Sequence, residues 1–318
     1  MRLSNKSATL LVLAALIALT PIFFPSSFYY RVGSLIFING LAVTGMVILI
    51  GYAGQISLGH AGFAGIGAYS CALMPVHWGI PVLLAAVLGA IISALLAFLV
   101  GRPILRLKGY YLGVATLGFG ILVYMALTNE AWLTGGPDGT QVPDSGLRDA
   151  AKAIGINLKN SEFWYWFCGV VLMIGAWLAL NLYVSPTGRA LRALHGSEIA
   201  ARTVGVDVAR YKLQAFVISA VYASAAGSLV ALQNQFVTPD IAGYMHSIEW
   251  VTMTVLGGAG SVLGAIFGAG ILTLLPQVLT MFAEYEQLLL GLIMMLVMIF
   301  MRDGLLPSVL RLIRGKDE

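Results

Sequence analysis

Chemistry in this chain would have to come from few residues, and His60 is the first of them. It stands in Gly51-Tyr52-Ala53-Gly54-Gln55-Ile56-Ser57-Leu58-Gly59-His60-Ala61-Gly62-Phe63-Ala64-Gly65-Ile66-Gly67-Ala68-Tyr69. An imidazole can relay protons or bind a metal. A single histidine with no Cys, Asp or second His beside it makes a poor metal site, so a hydrogen bond across an interface is the expected role. Gly51, Gly54, Gly59 and Gly65 lack side chains, so backbones can approach closely and carbonyls can face a lumen. Tight packing alone, or packing with pathway lining, both fit this set together with Ser57, His60 and Phe63. A second glycine turn, Gly257-Gly258-Ala259-Gly260-Ser261, follows Glu249 and Trp250. A glycine turn between short apolar runs resembles a broken-helix site. Glu249 would be functional at membrane depth and merely solvated at an interface. The third feature is Gly188 to Gly205. It reads as one short amphipathic helix, with Leu191, Leu194, Ile199 and Val204 apolar and Arg192, Glu198 and Arg202 polar. Such a helix can lie on a bilayer, dock in a partner's groove or simply connect.

The elements that must hold these residues are membrane helices. Of 318 residues, 59% are hydrophobic and 10% charged, and mean hydropathy is +0.90. Soluble domains carry about 25% charged residues. The fold class expected is therefore all-α: a polytopic transmembrane helical bundle forming one membrane domain over 1–318. A helix needs about 20 apolar residues to cross the hydrocarbon layer. Ten spans are predicted, at 7–24, 33–51, 56–74, 80–100, 110–129, 163–184, 213–232, 243–256, 261–276 and 286–301. Several are short or glycine-rich, which is tolerated at membrane depth only against protein or a wet cavity. The first span resembles a signal peptide in its basic start, but its apolar run continues to Phe24 without a clean cleavage site, so a retained helix is expected.

Charge orients the layout. With the N-terminus inside, 14 of the 18 basic residues lie inside and 9 of the 14 acidic residues outside, as the positive-inside rule requires. That bias explains the net charge of +4 and the pI near 9.1 without nucleic acid. The outer loop is 130–162, the main cytoplasmic loop 185–212 and the cytoplasmic tail 302–318. Ser185-Pro186-Thr187-Gly188 reads as a turn. A weak internal echo relates Leu58-Gly59-x4-Ala64-Gly65 to Leu263-Gly264-x4-Ala269-Gly270, either a parallel repeat or a chance match of glycine-rich helices. Cys71 and Cys168 sit in apolar runs and read as small buried hydrophobes. There is no G-x-x-x-x-G-K-[ST], H-E-x-x-H or G-x-S-x-G sequence, so a nucleotide-binding or hydrolytic role has no motif behind it.

The motifs together resemble the membrane subunits of branched-chain amino-acid ABC importers, of the LivM type, over roughly 33–307. The resemblance rests on Gly51 to Ala61, on Lys108-Gly109-Tyr110-Tyr111-Leu112 with Ala115-Thr116-Leu117, and on Thr134-Gly135-Gly136-Pro137-Asp138-Gly139. It rests also on Gly188-Arg189-Ala190-Leu191-Arg192-Ala193 and Glu198-Ile199-Ala200-Ala201-x3-Gly205. It implies a non-catalytic permease in a bacterial inner membrane with both termini cytoplasmic. The chain would hold no cofactor, and ATP would bind to two partner ATPase subunits. The other permease would be a paralogue, or else a second copy. A periplasmic binding protein would dock on Thr134, Gly135, Gly136, Asp138 and Gly139. Arg189, Arg192, Glu198, Ala200, Ala201 and Gly205 would couple to the ATPases, although the family's leading glutamate is replaced by Ile199. Gly51, Gly54, Ser57, Gly59, His60, Phe63, Gly65, Glu249, Gly257, Gly258 and Gly260 would pack or line the pathway. The implied cargo is leucine, isoleucine or valine, with urea, short amides or other amino acids as alternatives. A stand-alone channel or secondary transporter is the competing class.

Overall fold

The computed structural model describes residues 3–23, 26–153, 155, 157–278, 291–292, 295 and 304–305. The tenth expected span and the basic tail after 301 lie outside the described residues apart from isolated positions.

Helices occupy each of the other nine expected spans. They are α1 (Leu3–Phe23), α2 (Ser27–Met46, running on as a π-helical turn over Val47–Tyr52), α3 (His60–Trp78), α4 (Val82–Ile104) and α5 (Tyr110–Asn129). Next come two short helices, α6 (Ala131–Thr134) and α7 (Leu147–Ala153), and the long α8 (Asn160–Val184). α9 (Pro186–Gly196), α10 (Glu198–Thr203), α11 (Val208–Asn234), α12 (Tyr244–Gly257) and α13 (Val262–Val278) complete the set. Five stretches are long and apolar enough to cross a membrane: Ser27–Tyr52, Val82–Ile104, Tyr110–Asn129, Asn160–Val184 and Val208–Asn234. The described chain is all-α, with one minimal ladder: Thr140–Gln141 (β1) pairs antiparallel with Phe236–Val237 (β2).

Several boundaries differ from the sequence expectation. The second span begins earlier, because the Ser26 hydroxyl accepts the Phe28 amide (3.3 Å) and caps α2. The third begins later, at His60, because Gly54 takes φ +66° and turns the chain. The residues between stay irregular up to the N-cap, Gly59. The cytoplasmic helix is two helices. Ser197 adopts an extended conformation (φ −164°, ψ 117°) and its hydroxyl accepts the Ala200 amide (3.3 Å), ending α9 and starting α10. The tetrapeptide expected as a turn instead starts α9, with Ser185 accepting the Gly188 amide (3.1 Å) and Pro186 in the first turn.

The helices form two groups. α3, α4 and α11 pack together with α5 against α3, while α2 gathers α8, α12 and α13, with α1 outside α8. Contact between α2 and α11 joins the groups. Lipid is as apolar as leucine, so close packing must come from shape and small residues. Gly67 of α3 lies on the Ser224 carbonyl, Gly227 of α11 on the Ala64 carbonyl, and Gly89 of α4 on Ser70. By contrast, α4 and α5 keep most of their surface exposed, including Leu84, Val87, Ile91, Leu95 and Leu122. Residues 51–59, 101–109, 185–212 and 258–261 gather at one end of the bundle, as the contacts below detail. At that end Lys6 also donates to Asn181 Oδ1 (2.9 Å). Residues 134–142 and 236–242 meet at the other end.

Candidate coupling and translocation site

The two glycine turns singled out in the sequence meet in space. Gly51 presses against the carbonyl of Ala259, and Gly257 against that of Gly264. Any side chain at either position would strike backbone, which no rotamer can move. Gly54 then faces the third motif: a Cβ built there would lie 3.3 Å from His195 Nδ1 of α9. The turn after α2 is therefore held between the α12–α13 turn on one side and α9 on the other. Gly258 takes φ +106°, and Gly260 has no heavy atom near its would-be Cβ among the described residues.

His60 is completely buried just inside this turn. Its Nδ1 lies 2.7 Å from Ser57 Oγ and its Nε2 2.5 Å from Ser219 Oγ on α11. The Ser219 hydroxyl donates its one proton to the Phe216 carbonyl (3.1 Å). One ring nitrogen donates and the other accepts, and a serine hydroxyl meets each. Phe63 and Phe216 pack edge-on to the ring. The arrangement is a satisfied polar staple between α3 and α11. Two more staples fix the start of α3. The Leu58 amide donates to Thr116 Oγ1 on α5 (3.1 Å), and the Ala61 amide to Ser247 Oγ on α12 (2.9 Å). Helix N-termini leave amides orphaned, and here neighbouring helices supply the acceptors. Thr116 is a motif letter in the sequence, and Ser219 and Ser247 stand outside the motifs. Their signal was present, as hydroxyls in otherwise apolar helices.

Gly59 rests on the Thr116 carbonyl, and Gly120 of α5 approaches its Cα; Gly65 sits against Ala242. Phe63 stacks with Phe119. Each of these positions is filled by protein. Gln55 is different. It is buried, and neither atom of its side-chain amide has a hydrogen-bond partner among the described residues. A buried orphan amide demands an explanation. Glu249 lies near the middle of α12, about half exposed, with its carboxylate 3.1 Å from His246 Nδ1. It is thus paired on the exposed side of α12.

The coupling candidates divide by direction. Leu191 and Leu194 bury the inner face of α9, and Ala201 of α10 is buried too. Arg189 turns back to donate to the Val184 carbonyl (3.1 Å), and the Arg192 guanidinium lies 3.8 Å from the Tyr183 ring centroid. Glu198 pairs with the buried Lys212 of α11. Ala200 is exposed, and Gly205 takes φ +82° with open space around it. The apolar face expected of one continuous helix does not survive the break at Ser197. Ile199 and Val204 are 80% and 74% exposed, so they face outward rather than into the chain.

At the opposite end the Thr134 hydroxyl donates to Leu127 O (2.7 Å) and accepts the Gly136 amide (3.2 Å). Gly135, Gly136 and Gly139 all take positive φ, and Gly139 abuts the Val237 carbonyl. This motif builds the turn. What it displays is Asp138 and the exposed Trp132, whose indole donates to Glu130 (2.8 Å). Among the described residues no three His, Cys, Asp or Glu side chains converge as metal ligands.

The chain is 35% identical over 281 residues to the high-affinity branched-chain amino acid transport system permease protein LivM of Salmonella typhimurium. That alignment covers 83% of this chain and 66% of the relative. It is 26% identical to LivH, of the same transport system's name, from Escherichia coli, over 84% of this chain and 90% of that one. It is 29% identical to the autoinducer 2 import system permease protein LsrC of Klebsiella pneumoniae, over 65% of this chain and 58% of the relative. The chain thus spans slightly under two thirds of the LivM length. No solved structure matches it. The family model for the branched-chain amino acid transport system permease component matches residues 29–298, which include both glycine turns and the α9–α10 pair, and the chain belongs to that family.

Proposed function

We propose that this chain is the membrane-spanning permease subunit of an ABC importer, carrying branched-chain amino acids through a pathway it builds with a second permease. The observation that carries the reading is the contact of α9 with the glycine turn: His195 lies over Gly54, and Gly51 lies on the α12–α13 turn. A partner that moves α9 would press directly on the junction of four membrane helices. Two ATPase subunits would bind the ATP, since this chain has no phosphate-binding loop sequence, and the chain itself would hold no cofactor. Ile199, Val204 and Ala200 would enter the ATPase groove. Gly205 would let the chain turn back, and Ala201 would hold α10 against its base. Arg189 and Arg192 would brace α9 on α8 rather than reach the ATPase. The chain would cross a bacterial inner membrane about ten times with both termini cytoplasmic, consistent with the gathering of basic loops at one end. A periplasmic binding protein would dock at the opposite end on the 134–139 turn, with Asp138 and Trp132 as its exposed contacts. Gln55 would meet the cargo or its water when the turn shifts.

LivM-type likeness favours a paralogue over a second copy as the other permease. The likeness to LsrC, named for autoinducer 2 import, supports a second reading in which the same machine carries another small solute. The test is reconstitution with both ATPases, the paralogue and the binding protein, followed by ATP-dependent uptake of labelled leucine. Uptake that needs the full set supports the proposal. ATP-dependent assembly without leucine uptake moves the cargo to another solute. Uptake by this chain alone overturns it in favour of a channel or secondary transporter.

A further inference from the structure

A groove of about 690 Å³ opens where the end of α4, the 105–109 loop, α10 and the start of α11 converge. Six cationic side chains line it: Arg102, Arg106, Lys108, Arg202, Arg210 and Lys212. Glu198 is the one carboxylate in the lining, and Lys212 already holds it. The other five cations have no carboxylate within ion-pairing distance among the described residues. Like charges crowded in one groove repel unless an anion joins them. Arginine forks match phosphate oxygens in pairs. One side of the groove is apolar, with Phe98, Leu105 and Leu213 in its wall and the Arg102 guanidinium 4.2 Å above the Phe98 ring. On the same helix, one turn before Phe98 and Arg102, Leu95 and Leu99 are exposed apolar side chains. Tyr110 and Tyr111, both largely exposed, follow Lys108 in the chain at the start of α5, and aromatic residues favour a membrane interface.

We infer that this groove binds the phosphate headgroup of an anionic phospholipid, with an acyl chain lying along α4. A soluble acidic segment would match the charge but not the apolar track leading out of the groove toward the bilayer. Basic pockets between membrane helices hold anionic headgroups by this combination. The lipid would pin α10 to α4 and so set the resting position of the coupling pair. The inference rests on the membrane assignment of the proposed function and not on its cargo or partners.

The test uses the full-length chain in mild detergent, without ATP or partners. Phosphatidylglycerol and phosphatidylcholine of identical acyl chains are titrated in, and bound lipid is read by native mass spectrometry. About tenfold or greater preference for phosphatidylglycerol is expected, given the favourable energy of each basic residue toward an anionic lipid. Arg106→Gln/Arg202→Gln/Arg210→Gln should abolish the preference, and the corresponding Lys substitutions should keep most of it. Equal binding of the two lipids by the unaltered chain would overturn the inference, whether or not any variant folds. Displacement of phosphatidylglycerol by millimolar inorganic phosphate would overturn it too, assigning the groove to a soluble anion. Loss of ATPase assembly in the Gln variant, with no lipid preference in the unaltered chain, would give the groove to an acidic protein surface instead. None of these outcomes depends on leucine uptake, so the transport reading stands or falls separately.

Discussion

Substituting Gly227 by alanine tests whether the bundle is held by backbone contact. A Cβ built at Gly227 would lie 2.6 Å from the Ala64 carbonyl carbon and 2.7 Å from Ala64 Cα. Ordinary contact begins at 3.4 Å and the Ala64 carbonyl oxygen lies closer still, so α11 and α3 must part by more than about 0.8 Å, a gap that forfeits at least roughly a quarter to a half of the attraction across it. The obstacle is main chain, so no side-chain rotation relieves it, and overpacking of this kind costs about 1–3 kcal/mol. Alanine also favours helix over glycine by about 1 kcal/mol, which works against the loss. Gly118 of α5 isolates that second effect, because no heavy atom lies within 4 Å of its would-be Cβ. Gly118→Ala should therefore leave the fold unchanged or firmer. The two variants should differ by about 1–3 kcal/mol, the packing loss alone, because the propensity gain is common to both and cancels. Unfolding of each purified variant in mixed micelles by added sodium dodecyl sulfate, followed by the fluorescence of its six tryptophans, measures the difference. If Gly227→Ala unfolds at the same detergent fraction as Gly118→Ala, the close approach of α3 and α11 is not what holds the bundle, and the packing argument fails.

Three further outcomes follow from the same contacts. His60→Leu should cost about 1–3 kcal/mol in the micelle titration, because the Ser57 hydroxyl loses its buried partner, and adding Ser57→Ala should restore part of it. Glu198→Gln should cost about 1–3 kcal/mol, between the surface and buried limits for ion pairs. Glu198→Gln/Lys212→Met should be no worse than the single variant if an uncompensated buried charge is the cause. Gly205→Ala should lose about 1–2 kcal/mol locally to left-handed strain, leaving membrane insertion and chain abundance intact while lowering ATP-dependent uptake in the reconstituted importer. Unaltered uptake would remove Gly205 from the coupling argument.

The helices were legible because hydropathy and length dictate them: nine of the ten expected spans carry helix, and the tenth falls outside the described residues. The caps were legible in principle and misread in place. Ser26, Ser185 and Ser197 each set a helix boundary through one hydroxyl, and Ser197 splits what periodicity alone presents as one amphipathic helix. That split decides the fate of Ile199 and Val204, since an apolar letter belongs to the inner face only while the helix keeps its phase. The glycine runs were recognised as places of close approach, but not what they approach. Gly51 meeting Ala259, and Gly54 meeting His195, are contacts across some 140–210 residues of sequence, and one sequence holds no record of such pairings. The basic groove was divided in the same way. Its cations come from two loops about 100 residues apart, each of which reads alone as an ordinary inside-facing loop.

These contacts also limit how the protein can move. Where Gly67, Gly227, Gly59 and Gly120 bring main chain against main chain, neighbouring helices have no side chains to repack, and a small displacement loses the interface at once. α3 and α11 must therefore travel as one body, stapled further by His60 and Ser219, and α5 is tied to them through Thr116. α12 and α13 are locked to each other through Gly257 and Gly264 and through Gly268 and Met253. The link between these bodies is the 53–57 segment, with its left-handed Gly54, its orphan Gln55 amide and the α9 contact above it. Rigid bodies joined at a short glycine hinge move by rocking rather than by internal deformation. A partner that moved α9, as proposed, would therefore act first on the turn that joins α2 to α3.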